Sequence, residues 1–223
     1  MLVDAHPLAR ITSARVTTSS PDPPPPGAPT LCLGEARVDL ICERPVLAMS
    51  EVDALVPRLG GSAAVVAVTA ARYGAHVAFA GGAGDDAWGR WLRGRLSRDG
   101  VETSLFDLVP GAQTPLAIVL VDGGGVPSCE LYGGGFAGRA LGGRLEEAVR
   151  GSAAIVFGSA ALEGSEEADV TMRAREMALS LGRPVVFDPG VRVDRWRSRA
   201  EAAASANACV PDALLVRATA ADA

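Results

Sequence analysis

The chain has 223 residues, 48% hydrophobic and 4% aromatic, which supplies enough apolar mass for one sizeable α/β core and excludes a disordered chain. Its net charge of −5 repels phosphate backbones, so nucleic acid is not expected as a partner. All 21 basic residues are Arg and none is Lys, which removes a Walker-A phosphate loop, a protein-kinase site and a Schiff-base enzyme in their usual forms.

Residues 1 to about 30 end in Pro21-Asp-Pro-Pro-Pro-Pro-Gly-Ala-Pro29, a run that favours extended polyproline structure and cannot pack a core, so a disordered tail is expected there. The first residues hold Asp4 and lack a basic region followed by an apolar one, which argues against a secretory signal. No uncharged run reaches the roughly 18 residues that a membrane helix needs. Cys32, Cys42, Cys129 and Cys209 are scattered, with no C-x-x-C and no nearby His, so buried, reduced thiols in a cytoplasmic protein are expected and a metal site is not. The two histidines, His6 and His76, are far apart in sequence.

From Leu31 the pattern alternates between strands and helices. Leu31–Ile41 reads as one strand. Ser62–Tyr73 reads as a helix with Ser62 as its N-cap, and Ala75–Ala80 as a strand. Asp86–Arg98 reads as a helix, with Trp88, Trp91, Leu92 and Leu96 at helical spacing and Gly100 after its end. Pro115–Val121 and Val126–Tyr132 flank Asp122-Gly-Gly-Gly125 and read as a hairpin. A helix over Leu141–Arg150 and a strand over Ala153–Gly158 follow. Ser165 opens a helix that Gly182 stops, Pro184–Asp188 is a strand, Ser198-Arg-Ala-Glu201 is a capping box opening another helix, and Leu214–Arg217 is the last strand. Such alternation implies a mostly parallel sheet covered on both faces, and the hairpin implies a small β appendage.

Four stretches carry a resemblance: Gly34-Glu-Ala-Arg-Val-Asp39-Leu, Gly60-Gly61-Ser62 opening a helix that ends near Gly74, Gly81-Gly-Ala-Gly84-Asp85-Asp86-Ala-Trp-Gly89, and Phe187-Asp188-Pro189-Gly190-Val-Arg192. In order and spacing they resemble the ribokinase-like (PfkB) sugar kinases, most of all fructokinases and 2-keto-3-deoxygluconate kinases. The resemblance implies an α/β three-layer sandwich over residues 31–223 with a small β lid from segments near 36–60 and 114–132. It also implies ATP-dependent phosphoryl transfer to a sugar hydroxyl with Mg2+, a small-molecule sugar as partner, and pairing of two copies through the lid.

The resemblance places Asp39, Gly60, Gly61 and Arg192 on the sugar. Asp39 would accept hydroxyl hydrogen bonds, the glycines would let backbone approach closely, and Arg192 would meet an acidic or keto group. Read alone, Asp39 is a solvated strand residue, Gly60-Gly61 is a turn, and Arg192 belongs to a basic run with Arg195, Arg197 and Arg199. The pattern departs from the family at Val65, where an Asn is usual, and at Gly190, also an Asn in the family; Thr219-Ala-Ala-Asp222 matches an Asn-x-x-Glu poorly. The family's anion hole and catalytic base are expected beyond Ala223, so no catalytic residue is assigned, and the chain is expected to be truncated or degenerate, with exposed apolar surface and little kinase turnover. Gly82-Ala-Gly84-Asp-Asp-Ala87 also fits a dinucleotide fingerprint, although two aspartates would face the pyrophosphate; it is read as structural. A non-catalytic sugar-binding or partner-binding module, and more remotely a dinucleotide-dependent oxidoreductase, stay open as alternatives.

Overall fold

The computed structural model describes residues 23–133 and 141–218. Thr219-Ala-Ala-Asp222 and most of the expected N-terminal tail lie outside them. In chain order the elements are β1 (Thr30–Leu33), β2 (Arg37–Cys42), β3 (Leu55–Gly60), α1 (Ser62–Arg72), β4 (Val77–Gly84), α2 (Ala87–Arg98), β5 (Phe106–Val109), β6 (Leu116–Val121), β7 (Pro127–Tyr132), α3 (Leu145–Arg150), β8 (Ala154–Gly158), α4 (Ser165–Ser180), β9 (Val185–Asp188), α5 (Arg199–Cys209) and β10 (Leu215–Val216).

Two periodicities build the layers. Side chains alternate across a strand, so Leu31 and Leu33 of β1 with Ala78 and Ala80 of β4 join one apolar cluster with α3, α4 and α5. Cys32, Val77 and Phe79 face the other way and join α1 and α2 through Ala63, Ala64, Ala67, Val68, Leu92 and Leu96. The result is a parallel sheet in the order β10-β9-β8-β1-β4-β5 between two helical layers. A parallel sheet buried on both faces needs continuous apolar strands, which explains why β4 is buried from end to end. A second sheet, β3-β2-β6-β7, pairs β2 with β3 and β6 with β7 antiparallel, and β2 with β6 parallel.

The structure corrects several sequence boundaries. The single strand expected over Leu31–Ile41 is two strands in different sheets, because the chain leaves the main sheet at Gly34-Glu35-Ala36. Gly34 and Glu35 interrupt the apolar pattern at that point, and the single-strand reading runs through them. Strand β3 holds Pro57, which lacks an N–H and therefore suits the sheet edge where β3 lies. Strand β5 was not anticipated; its four residues are too short for a period to show. The N-cap of α1 is Gly61 rather than Ser62. All four cysteines are free, and burial pushes the Cys32 thiol up to about 12. No helix among the described residues is long and apolar enough to cross a membrane.

The stretch that also fits a dinucleotide fingerprint forms no glycine loop. Gly81 to Gly84 continue β4, paired in register with Phe106 to Val109 of β5. Asp86 instead caps α2: its Oδ1 accepts from the Gly89 N–H at 2.8 Å and from the Thr114 hydroxyl at 2.7 Å, and its Oδ2 accepts from the Thr114 N–H at 2.9 Å. Partial burial works against its ionised form, but these donors outweigh it and hold the carboxyl below the ordinary range. Asp86→Ala removes a cap and takes away the acceptor of the Thr114 N–H. A loss of about 2 kcal/mol is expected in a urea melt; a change under about 0.5 kcal/mol would mean that Asp86 does not tie the two segments together.

Candidate functional site

The carboxyl ends of parallel strands are where open α/β sheets gather ligands. At the end of β9, under the second sheet, lies a cavity of about 590 Å³. Strand alternation aims its residues. Val38 is fully buried, and it and Leu40 pack on the α1–α2 side, so Arg37 and Asp39 take the opposite face of β2 and line the cavity. Gly60, Gly61 and Ser62 form its corner at the start of α1. Val65, Val66 and Ala70 make an apolar wall along that helix, and Asp188 and Arg217 close the far side.

The glycines are dictated by space. Gly60 lies opposite Arg37 in the β2–β3 ladder, and a Cβ there would fall 2.2 Å from the Asp39 carboxyl carbon. Gly61 has φ +91°, and its Cβ would fall 2.1 Å from the Glu35 carbonyl oxygen. The chain therefore turns sharply from β3 into α1 while passing directly under the β1–β2 crossover.

A chain of buried charges reaches the cavity from behind. Arg37 Nε donates to Asp39 Oδ1 at 2.7 Å, and Arg37 Nη1 donates to Glu35 Oε1 at 2.9 Å. Arg195, in the turn after β9, donates through Nη2 to Glu35 Oε2 at 2.9 Å, and its Nε also pairs with Glu163. The Glu35 side chain is 5% exposed. Burial pushes its carboxyl up, but the hydrogen bonds and charges of Arg195 and Arg37 outweigh this and hold it below the ordinary range. Glu163 goes the other way. Burial, with Glu35 and Asp194 nearby, outweighs its contact with Arg195 and pushes it up to about 7. On the far wall, Asp188 is 8% exposed and accepts at Oδ1 from Arg217 Nη1 at 3.0 Å.

Of the residues the sequence suggested, Asp39, Gly60 and Gly61 meet on this cavity, and Val65 lines it as well. Arg192 is not among the lining residues. Its guanidinium grips Asp194 two residues on, with both contacts at 3.2 Å. Sequence reasoning did not single out Arg37, Asp188 or Arg217. Arg37 was within reach, since it precedes Asp39 by the strand period, and Asp188 sits in a quoted motif. Arg217 had no local signal; only the pairing of β10 with β9 brings it to Asp188. Among the described residues no three His, Cys, Asp or Glu side chains gather as a metal cluster, and none is assigned to Mg2+.

Comparison with known proteins gives the family and the fold. The pfkB family carbohydrate kinases match residues 30–223. Fructokinase-1 of Oryza sativa subsp. japonica is 32% identical over 171 residues, covering 76% of this chain and 53% of the relative. Fructokinase-1 of Zea mays is 31% identical over 171 residues, with the same two coverages. The chain thus spans about half the length of the curated relatives it matches. Among solved structures, a fructokinase from Xylella fastidiosa superposes with a TM-score of 0.70 at 26% identity, over 84% of this chain and 58% of that one. The fructokinase of Halothermothrix orenii shares the fold, with a TM-score of 0.75 at 23% identity over 87% of this chain and 69% of that one. With its parallel core, its second sheet and its family match over nearly the whole described chain, this protein belongs to the pfkB family of carbohydrate kinases.

Proposed function

We propose that the cavity beneath the second sheet binds a sugar, and that the chain supplies the sugar-recognition part of an ATP-dependent kinase acting on a fructose-like hydroxyl. The observation that carries this reading is the convergence of the Asp39 and Asp188 carboxylates on one cavity at the strand ends. Carboxylates accept from sugar hydroxyls, and these two are already oriented by Arg37 and Arg217 through one oxygen each. Gly60 keeps the space beside Asp39 open, while Val65, Val66 and Ala70 offer an apolar surface to the C–H face of a ring. The second sheet then serves as the lid that excludes water.

The structure of a relative, the Xylella fastidiosa fructokinase, carries bound ATP. ATP with Mg2+, when bound, supplies the phosphoryl group; the residues described above hold and orient the acceptor. Sugar binding is the activity expected of these residues. A cytoplasmic location and pairing of two copies through the lid belong to the same reading, and fractionation and sedimentation test them.

The deciding experiment is a thermal melt with D-fructose, other hexoses and Mg-ATP. Fructose at a hundred times its dissociation constant should stabilise the wild-type chain by about 2.7 kcal/mol. Asp39→Asn should weaken binding roughly 10- to 100-fold, because a charged acceptor is lost. A melt that no sugar moves, or an equal shift in Asp39→Asn, would remove the reading. A shift with Mg-ATP together with fructose phosphorylation would instead show that the chain is a working kinase.

A further inference from the structure

We infer that Glu35 is a positioning residue for the sugar site, acting through Arg37 on the Asp39 carboxylate. The inference rests on the sugar-binding reading of the cavity and adds a residue that does not line it.

The geometry has a definite direction. Asp39 has one oxygen held by Arg37 Nε at 2.7 Å, which leaves Oδ2 to meet a hydroxyl. Arg37 is itself a long side chain with several rotamers, and a donor fixes an acceptor only if its own position is fixed. Glu35 supplies that constraint. It takes Arg37 Nη1 on Oε1 at 2.9 Å and Arg195 Nη2 on Oε2 at 2.9 Å. One carboxylate thus joins two guanidiniums from different parts of the fold: Arg37 on the second sheet, and Arg195 in the turn Val193–Arg195 after β9.

Glu35 is placed to do this rigidly. It sits in the crossover between the two sheets and is almost fully buried, and its carbonyl roofs Gly61 at the cavity corner. Ordered charge pairs of this kind are strong when fully satisfied, and both oxygens of Glu35 are satisfied. A neutral amide breaks the arrangement chemically. Gln offers one acceptor oxygen and an NH2 donor, so one of the two guanidiniums would face an N–H and the carboxylate link that fixes Arg37 against Arg195 would be broken.

The test is a double-mutant cycle on D-fructose affinity, read by calorimetry on the full chain, with melts to confirm folding. Glu35→Gln is expected to weaken fructose binding about tenfold or more. In an Arg37→Gln background the same change should cost nothing further, because the link it acts through is already gone. Glu35→Asp keeps the charge, and with it the fold, but its shorter arm cannot hold both guanidiniums; it should lose affinity by a smaller factor. The inference is overturned if Glu35→Asp and Glu35→Gln bind fructose like the wild type while Asp39→Asn does not bind. It is also overturned if the Glu35 and Arg37 effects simply add. Should the wild type not bind fructose, or should Asp39→Asn bind as well as wild type, the sugar-site reading fails first and takes the inference with it.

Discussion

Replacing Arg195 by Met should cost about 3–5 kcal/mol of folding stability, with the loss greatest above neutral pH. Arg195 is the shared cation of two carboxylates that are 5% and 12% exposed, Glu35 and Glu163. Met preserves most of its volume, so the loss reports charge rather than packing. Glu35 keeps Arg37, whereas Glu163 keeps no direct ion pair among the described residues. The pH dependence follows from the position of Glu163. Its carboxyl is raised in the folded protein from the ordinary 4.5 to about 7. Between those values the folded chain holds a proton that the unfolded chain has lost, so stability falls as pH rises through that window and levels off above it. The fall amounts to about 2 kcal/mol once solvent screening of its accessible part is allowed for. The lowered carboxyls, Glu35, Asp86, Asp99 and Asp194, act in the acid range below this window and with the opposite sign. Urea melts from pH 5 to pH 8 should show the wild type weakening, Glu163→Gln nearly flat, and Arg195→Met falling more steeply and to higher pH. A wild-type chain that gains stability from pH 5 to pH 7 would refute the assignment. So would an Arg195→Met variant within 1 kcal/mol of wild type at pH 8.

Gly61→Ala should cost about 3 kcal/mol or more and abolish sugar binding, through two separable effects. The first is conformational: a φ of +91° is costly for any residue with a Cβ, by roughly 1–3 kcal/mol. The second is overlap. The added carbon would lie 2.1 Å from the Glu35 carbonyl oxygen, a backbone atom that cannot swing away, so the crossover must move. Glu35 and Arg37 lie on or next to that crossover, and Asp39 follows two residues later, so the site moves with it. Gly74→Ala isolates the first effect, since Gly74 has φ +88° and open space where its Cβ would sit. The excess of Gly61→Ala over Gly74→Ala then measures the overlap. Equal losses in the two variants would show that the crossover yields freely and that the tight corner is not what shapes the cavity.

Much of the local structure was legible in the residues. The helical recurrence of Trp88, Leu92 and Leu96 marked α2. Ser198 caps α5 by accepting from the Glu201 N–H at 3.1 Å, as its spacing suggested. The hairpin turn is held by Asp122, whose Oδ1 accepts from the Gly124 and Val126 N–H groups, both at 2.8 Å. Each of these features is settled by atoms within about one turn of chain, where residue type and spacing carry the energy. Asp39 and the Gly60-Gly61 pair were found through a motif, and the cavity then brought them together.

The rest belongs to the tertiary structure. Gly34-Glu35 interrupts Leu31–Ile41, but local sequence does not say that the residues after the break join a different sheet; that depends on which strands β2 can pair with. Arg195 and Glu35 are 160 residues apart in the chain and meet only because β9 ends beside the crossover from β1. Arg217 finds Asp188 only because β10 pairs with β9. Short-range periodicity determines which residues form strands and helices and which faces they bury. Which charges share a buried site depends on strand order, and strand order is decided by how the sheets and helices close over a common core.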